Sequence, residues 1–369
     1  MKRLISVILT AALLLSMLPV HALAMELEDD WEDLEEPTTS VTDDYGFTYE
    51  YDLSTQGYKV VGYSGTEMEL TIPSSVNGCP VTVIGSVYGT NCWGIVSVVI
   101  PDSVVQLASG AFSCCDSLQY VTLPSSLTSI GSGAFEACGS LESLVIPASV
   151  SSIGEHAFDG CFALETLSIP ASVTQIGENA FRGCDRLTIT VDANNPYYQS
   201  TQNCLIELET KTLLRCSGPY ENLDGMVEVI GPNAFEGYES YDSDELVLPN
   251  GVITIGEDSF DGVFGIKKIT MPDTVTTIED SAFAYCYDLE TIKWSSNLQT
   301  IGDGAFTYTN LSSVTIPASV TSIGAGVWAS CELLTSILVE EGNEAYCSKN
   351  NCLIETATKT LYGYQREKE

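Results

Sequence analysis

The sequence predicts a repeat solenoid that is mainly β, and three observations carry that prediction. The first is periodicity. Pro101, Pro124, Pro147 and Pro170 follow one another at steps of 23 residues, and Phe112, Phe135, Phe158 and Phe181 keep the same step. So do Cys115, Cys138, Cys161 and Cys184. The second is that the register returns after an interruption. Phe235 restores the aromatic column, Phe260, Phe283 and Phe306 continue it, and Trp328 takes it over in a unit one residue shorter. The third is the pattern inside each unit. Leu144 to Ile146 alternates apolar, exposed, apolar, as a short half-buried strand does, and Pro147 has no N–H to give to a longer ladder.

The N-terminus sets the compartment. Lys2 and Arg3 precede an apolar stretch from Leu4 to Val20, and Ala22-Leu23-Ala24 is a small-x-small cleavage site. Residues 1–24 therefore read as a secretory signal peptide, cleaved after Ala24. Residues 25–45 follow with Glu26, Glu28, Asp29, Asp30, Glu32, Asp33, Glu35, Glu36, Asp43 and Asp44 among few apolar groups. Like charges at that density repel and build no core, which predicts an acidic disordered linker. The repeat domain then spans 46–369.

Within each unit, Ile153-Gly154 marks a second extended piece and a tight turn, and Ala157 through Cys161 suits one short helical or 3-10 turn with Phe158 and Cys161 inward. A unit of this length cannot bury its own apolar side chains. Stacked units can, because each inward column repeats at every level, with parallel strands about 4.8 Å apart. The predicted core is Phe112, Phe135, Phe158, Phe181, Phe235, Phe260, Phe283, Phe306 and Trp328, with Cys115, Cys138, Cys161, Cys184, Cys286 and Cys331 beside them. About ten units give a rod of roughly 50 Å.

Two longer segments break the period and resemble each other. Asn203-Cys204-Leu205-Ile206-Glu207 recurs at 351–355, and Thr210-Lys211-Thr212-Leu213 at 358–361. Each predicts a β-hairpin insert, near 191–216 and near 339–364. After the second, the array stops mid-unit at Glu369, which leaves three readings open: a frayed tail, a longer natural chain, or a hairpin that serves as a cap.

The units Leu141 to Cys161 and Leu164 to Cys184 resemble the BspA-like type of leucine-rich repeat. So does the first unit, Leu70 to Gly85, with its inserted Asn77-Gly78-Cys79-Pro80. The resemblance covers roughly 47–369. It implies a right-handed parallel leucine-rich-repeat solenoid of the kind found in secreted proteins on bacterial surfaces, where such repeats bind other proteins, cells or matrix. The chain departs from many of those proteins in showing no C-terminal sorting motif and no wall-binding module.

Chemistry is sparse. The 50 acidic against 14 basic residues leave a net charge of −36, which repels nucleic acid and anionic lipid. No later segment is apolar for long enough to span a bilayer, so no membrane insertion is expected after signal removal. Thirteen cysteines in a secreted chain would ordinarily suggest disulfides, but six share the inward column and read as buried thiols. Cys216 falls opposite Tyr364 in the second hairpin, so a bridge is not repeated between the copies, and Cys204–Cys216 remains the best disulfide candidate. No Cys-x-x-Cys pair offers a zinc site, and His156 is the single histidine left after cleavage, so neither a triad nor a cofactor is expected. Asp242, Asp244 and Glu245 form an oxygen-rich run without the spacing of a calcium loop. Glu142 and Glu165, one rung apart, approach the spacing of a retaining glycosidase pair, yet nothing around them forms a sugar cleft. Solvated surface is the preferred reading.

Binding is expected on the outward strand positions, with Tyr120, Glu142 and Glu165 in the first array and Lys267, Lys268 and Lys293 as a local basic patch in the second. Tyr197, Tyr198 and Tyr220 supply aromatic anchors near the first hairpin. The function predicted is a non-enzymatic, secreted or cell-surface scaffold for protein–protein or cell-surface recognition of the adhesion type. The alternatives are a structural spacer in an envelope assembly without its own ligand and a carbohydrate-active enzyme.

Overall fold

The fold is taken from a computed structural model, which describes residues 40–87, 92–201, 203–218, 223–238, 244–350 and 352–364. The expected signal peptide, most of the expected linker, Tyr220 and Asp242 lie outside these residues. The chain winds as a parallel β-solenoid. Each coil contributes a short strand to an outer face and a two-residue strand to an inner ladder. Ile84, Leu107, Ile130, Ile153 and Ile176 stand in parallel register in one ladder. Leu213, Ile230, Ile255, Ile278, Ile301 and Ile323 form the second. The outer strands are shorter sheets: Glu69–Thr71, Ser97–Val99 and Tyr120–Thr122 pair in parallel, the next coil joins through a bridge at Ser143, and Thr166–Ile169 pairs with Thr188–Val191.

Phe112, Phe135, Phe158, Phe235, Phe260, Phe283 and Phe306 are fully buried, with Phe181 and Trp328 close to it. Consecutive rings stack face to face along each array, with centroids 5.5–5.8 Å apart from Phe112 to Phe181 and 4.5–5.2 Å from Phe235 to Phe306. The column cysteines line the same core, and five of the six donate one coil back. Cys138, Cys161 and Cys184 give their S–H to the carbonyls of Phe112, Phe135 and Phe158 at 3.1–3.2 Å, and Cys286 and Cys331 to Phe260 and Phe306 at 3.1 Å. Burial pushes the thiols of Cys138 and Cys286 up to about 12, which keeps the donor proton in place. Cys204 and Cys216 are joined by a disulfide, so the bridge that lacks a counterpart in the second hairpin is present in the first.

The segment from Ala157 to Cys161 is a run of turns. Among the described residues the one 3-10 helix is Cys92–Gly94. The reason is a pair of left-handed residues four apart in each coil: His156 and Gly160, Asn179 and Gly183, Asp258 and Gly262. A helix cannot pass through either. The turn residues instead alternate their bonds. Ala134 N–H donates within its coil to Gly131, while Phe135 N–H donates across to Ala157 of the next coil. The glycine after each ladder isoleucine serves close approach more than turning. A Cβ on Gly154 or Gly177 would meet the preceding coil's backbone nitrogen at 2.4 or 2.2 Å. Where a Ser or Thr stands two residues past a strand-ending proline it adds a bond between coils, as Ser149 Oγ does to Leu127 O at 2.6 Å and Thr274 Oγ1 to Val252 O at 2.7 Å.

Among the described residues three antiparallel meanders punctuate the coils. Ser40–Thr42, Phe47–Asp52 and Gly57–Tyr63 form the first. Tyr198–Thr201, Cys204–Glu207 and Thr212–Cys216 form the second, and Tyr346–Lys349, Cys352–Glu355 and Leu361–Tyr364 the third. Each has a register shift in its middle strand. The first runs into residues placed by the sequence in the acidic linker. Asp43 there accepts the N–H groups of Tyr45 and Phe47 and the hydroxyl of Tyr49, so residues 40–45 are structured. The last strands of the first two meanders pair in parallel with the next coil, so each meander starts a stack.

The second and third meanders also finish the stack before them. The hydroxyl of Tyr198 accepts Ile176 N–H and that of Tyr346 accepts Ile323 N–H, both at 2.9 Å. Asn195 donates to the carbonyls of Pro170 and Val173, and Asn343 to those of Pro317 and Val320. Ser200 and Ser348 accept from Val191 and Val339. Arg215 adds a clamp at the first seam by donating to Phe181 O and Cys184 O.

Phe158→Ala is expected to cost about 3–5 kcal/mol in urea unfolding, the usual loss for a buried aromatic. A cost under about 1 kcal/mol would mean that the stacked column does not hold the array. Tyr198→Phe leaves the Ile176 amide without an acceptor, so it should lose about 1–3 kcal/mol. Hydrogen exchange should quicken at Ile176 and not at Ile323.

Candidate functional site

The outer strands put two columns of side chains on one open face. Parallel register aligns Ser97, Tyr120, Ser143 and Thr166 in one column and Val99 and Thr122 in the other. The same register places Val145 and Ser168 next in the second column. Further along, Glu245, Lys268 and Thr291 face outward beside Val247, Thr270 and Lys293, and Ser313 and Ser336 beside Thr315 and Leu338. Ser and Thr fill most of the first column and share the second with apolar residues. Among them stand exposed apolar groups: Val145 at 82% exposure, Val99 at 44%, and Val247 and Leu338 at 51%.

The residues singled out by the sequence divide sharply on this surface. Tyr120 is half exposed and its hydroxyl donates to Glu142 across one rung at 3.0 Å. Glu142 and Glu165 are exposed on neighbouring coils, on a face and not in a cleft. The lysines do not make a basic patch. Lys267 pairs with Asp244 at 3.0 Å and Lys268 with Glu245 at 2.9 Å, so the acids read as an oxygen-rich run neutralise the cations beside them. The carboxyl of Glu245 is held low by hydrogen bonds from Thr270 and Lys268. Such exposed pairs fix local charge and add little stability. Lys293 remains exposed at the end of its strand.

The hairpin tyrosines also differ from expectation. Tyr197 is exposed at 41%, whereas Tyr198 is 2% exposed with its hydroxyl committed to the Ile176 amide. It is a seam residue and not a contact anchor. The signal for this was available in the sequence: Tyr346 stands at the same place in the second insert, and both follow an asparagine three residues earlier, Asn195 and Asn343.

A cleft of about 190 Å³ lies at the seam between the stacks, lined by Glu178, Asn179, Arg182, Glu207, Arg215 and Asn233 among others. Asn233 donates to Asn179, and Glu236 bonds Gly183 N–H and lies 3.6 Å from Arg182. These groups close the seam on one another, and Arg215 already serves two carbonyls. Among the described residues no set of three or more His, Cys, Asp or Glu could hold a metal ion, and no helix is long and apolar enough to cross a membrane.

The turn edge near this seam concentrates acid. The carboxyls of Asp258 and Asp261 are raised, chiefly by burial, and each is pushed further by a neighbouring carboxylate: Asp280 for Asp258, Asp258 for Asp261. Arg182 offsets part of this. One oxygen of Asp261 is buried without a hydrogen-bond partner. A carboxyl whose folded pKa exceeds its unfolded value adds stability that is complete below the unfolded value and lost as pH rises through the folded one. Asp261→Asn should therefore raise Tm at pH 7, and thermal scans should show that gain vanish below about pH 4. An unchanged Tm at pH 7 would show that the carboxylate is not repelled.

The BspA type leucine rich repeat region matches residues 70–204 and 209–349, in six copies. Among solved structures, a leucine-rich cell surface protein from Faecalibacterium prausnitzii A2-165 is 28% identical, over 81% of this chain and 88% of that one, with a TM-score of 0.52. The pneumococcal vaccine antigen PcpA is 20% identical over 82% of each chain, with a TM-score of 0.60, a likeness of fold. Among curated proteins none matches the chain.

Proposed function

Because the chain belongs to the BspA-type leucine-rich repeat family, we propose that it is a secreted, cell-surface-associated scaffold whose outer strand face binds another protein. The observation that carries this reading is the pair of outward columns. A parallel sheet face rich in Ser and Thr offers hydrogen-bonding groups at successive coils. Val99, Val145, Val247 and Leu338 break that polarity at intervals with apolar groups left in water. Apolar side chains on a polar face are what a protein interface covers, with hydrogen bonds around them.

The signal-like segment at 1–24 and the cell-surface character of the relative from Faecalibacterium prausnitzii support the extracellular placement. Adhesion is the use that such a repeating face suits, since many weak contacts spread along one axis add together. A binder is favoured over an enzyme because Glu142 and Glu165 stand open to solvent on that face, where water is not excluded.

The test is a capture experiment with the secreted chain against bacterial-surface and host-matrix extracts at physiological salt. A specific partner is expected, and its retention should fall at least about tenfold in a Val99→Asp/Val145→Asp variant, since a charge replaces a buried apolar contact. A folded protein that retains nothing but itself would favour a spacer role. A partner held equally by the variant would move the site off this face.

A further inference from the structure

Two neighbouring coils place a large ring where the other described coils keep something small. The residue two positions after the core aromatic is Cys114, Ala137, Gly160, Gly183, Gly237, Gly262 or Ser330, and each has a positive φ. In the coils of Phe283 and Phe306 that residue is Tyr285, with φ 56°, and Tyr308, with φ 61°. A bulky side chain is disfavoured in this left-handed region, and departures of this kind gather at sites of function.

The two rings use the geometry. They stack with centroids 5.0 Å apart and planes 13° from parallel. Tyr287 joins edge-on, 6.1 Å from Tyr285 and 6.4 Å from Tyr308, and Phe264 lies 6.3 Å beyond Tyr287. All four rings are 42–53% exposed, although the core is one residue away at Cys286. The packing of the array does not need them, since Gly160, Gly183 and Gly262 hold the same turn without a side chain.

The surroundings are acidic. Asp288 follows Tyr287 in the chain and accepts Gly265 N–H, next to Phe264, at 2.9 Å, so its carboxylate lies beside the rings. The chain as a whole carries −36 and draws cations to its surface. Aromatic faces attract a flat cation over the ring, and a guanidinium both stacks and bonds a flanking carboxylate in two directions, which an ammonium does not.

We propose that Phe264, Tyr285, Tyr287 and Tyr308 form a platform that binds arginine side chains of a cationic segment on a partner protein. The platform is separate from the outer strand face, so a loss there and a loss here are read from different variants. Asp288 accepts Gly265 N–H through one oxygen, which fixes its carboxylate beside Tyr287.

The test is calorimetric titration of the full chain with a nona-arginine peptide, a nona-lysine peptide of equal charge, and chitohexaose as a neutral glycan. Nona-arginine should bind about tenfold more tightly than nona-lysine, the scale of one or two cation–π contacts. Tyr285→Gly/Tyr308→Gly should remove that preference. This variant copies the residue of other coils and relieves the left-handed strain, so its Tm should be unchanged or higher. A preference that survives in the variant would overturn the proposal, as would equal affinity for the two peptides, which would leave only the field of the chain. Tight chitohexaose binding lost in the variant would overturn it in favour of a glycan site. Each of these results leaves the Val99→Asp/Val145→Asp outcome to stand by itself.

Discussion

A coil of this solenoid cannot satisfy its own backbone. Phe135 N–H needs Ala157 of the next coil, Gly154 N–H needs Ile130 of the previous one, and the buried thiol of Cys161 needs the carbonyl of Phe135. Buried peptide groups without partners are costly, so the stack must be either continued or replaced at each break by something with the same donors and acceptors. The meanders are that replacement. Asn195, Tyr198 and Ser200 give the coil ending at Val191 the bonds that a further coil would have given. Asn343, Tyr346 and Ser348 repeat the set for the coil ending at Val339. Arg215 belongs to the first seam alone, since Gly363 occupies its register position in the third meander.

This constraint sorts the rest of the chain. Inward positions are fixed by the columns, so individuality is confined to the outer strands and the turn edge. The outer strands favour Ser and Thr with scattered valines. The turn edge holds the acids that repel one another around Asp258 and Asp261, and also the ring cluster of the second array. The strongly negative sequence is thus unevenly expressed, with Lys267 and Lys268 held locally by Asp244 and Glu245.

Much of this was legible in the order of residues. A step of 23 residues and a column of phenylalanines allow one stacked arrangement, and the buried rings follow from it. What failed did so for physical reasons that a column does not reveal. The helical turn after Ala157 is absent because His156 and Gly160 both take the left-handed region. Tyr198 looked like a surface aromatic because its acceptor role depends on the hairpin folding back over the coil of Ile176. Lys268 looked free because Glu245 is far from it in sequence and one rung away in space. The second hairpin repeats no partner for a Cys204–Cys216 bridge, but pairing across Cys204–Glu207 and Thr212–Cys216 brings their Cα atoms to 4.0 Å whatever the other hairpin contains.

The seam groups Tyr198 and Ser200 lie within the meander and Asn195 in the turn leading into it, and the meander closes one stack with its first strand and opens another with its last. Meander and following coils therefore make a self-contained cassette that carries its own adaptor. Genetic duplication or loss of a whole cassette would change the reach of the protein without creating an unmatched joint, whereas loss of part of a coil would expose one. A protein built this way can vary in length over evolution far more easily than it can vary in cross-section.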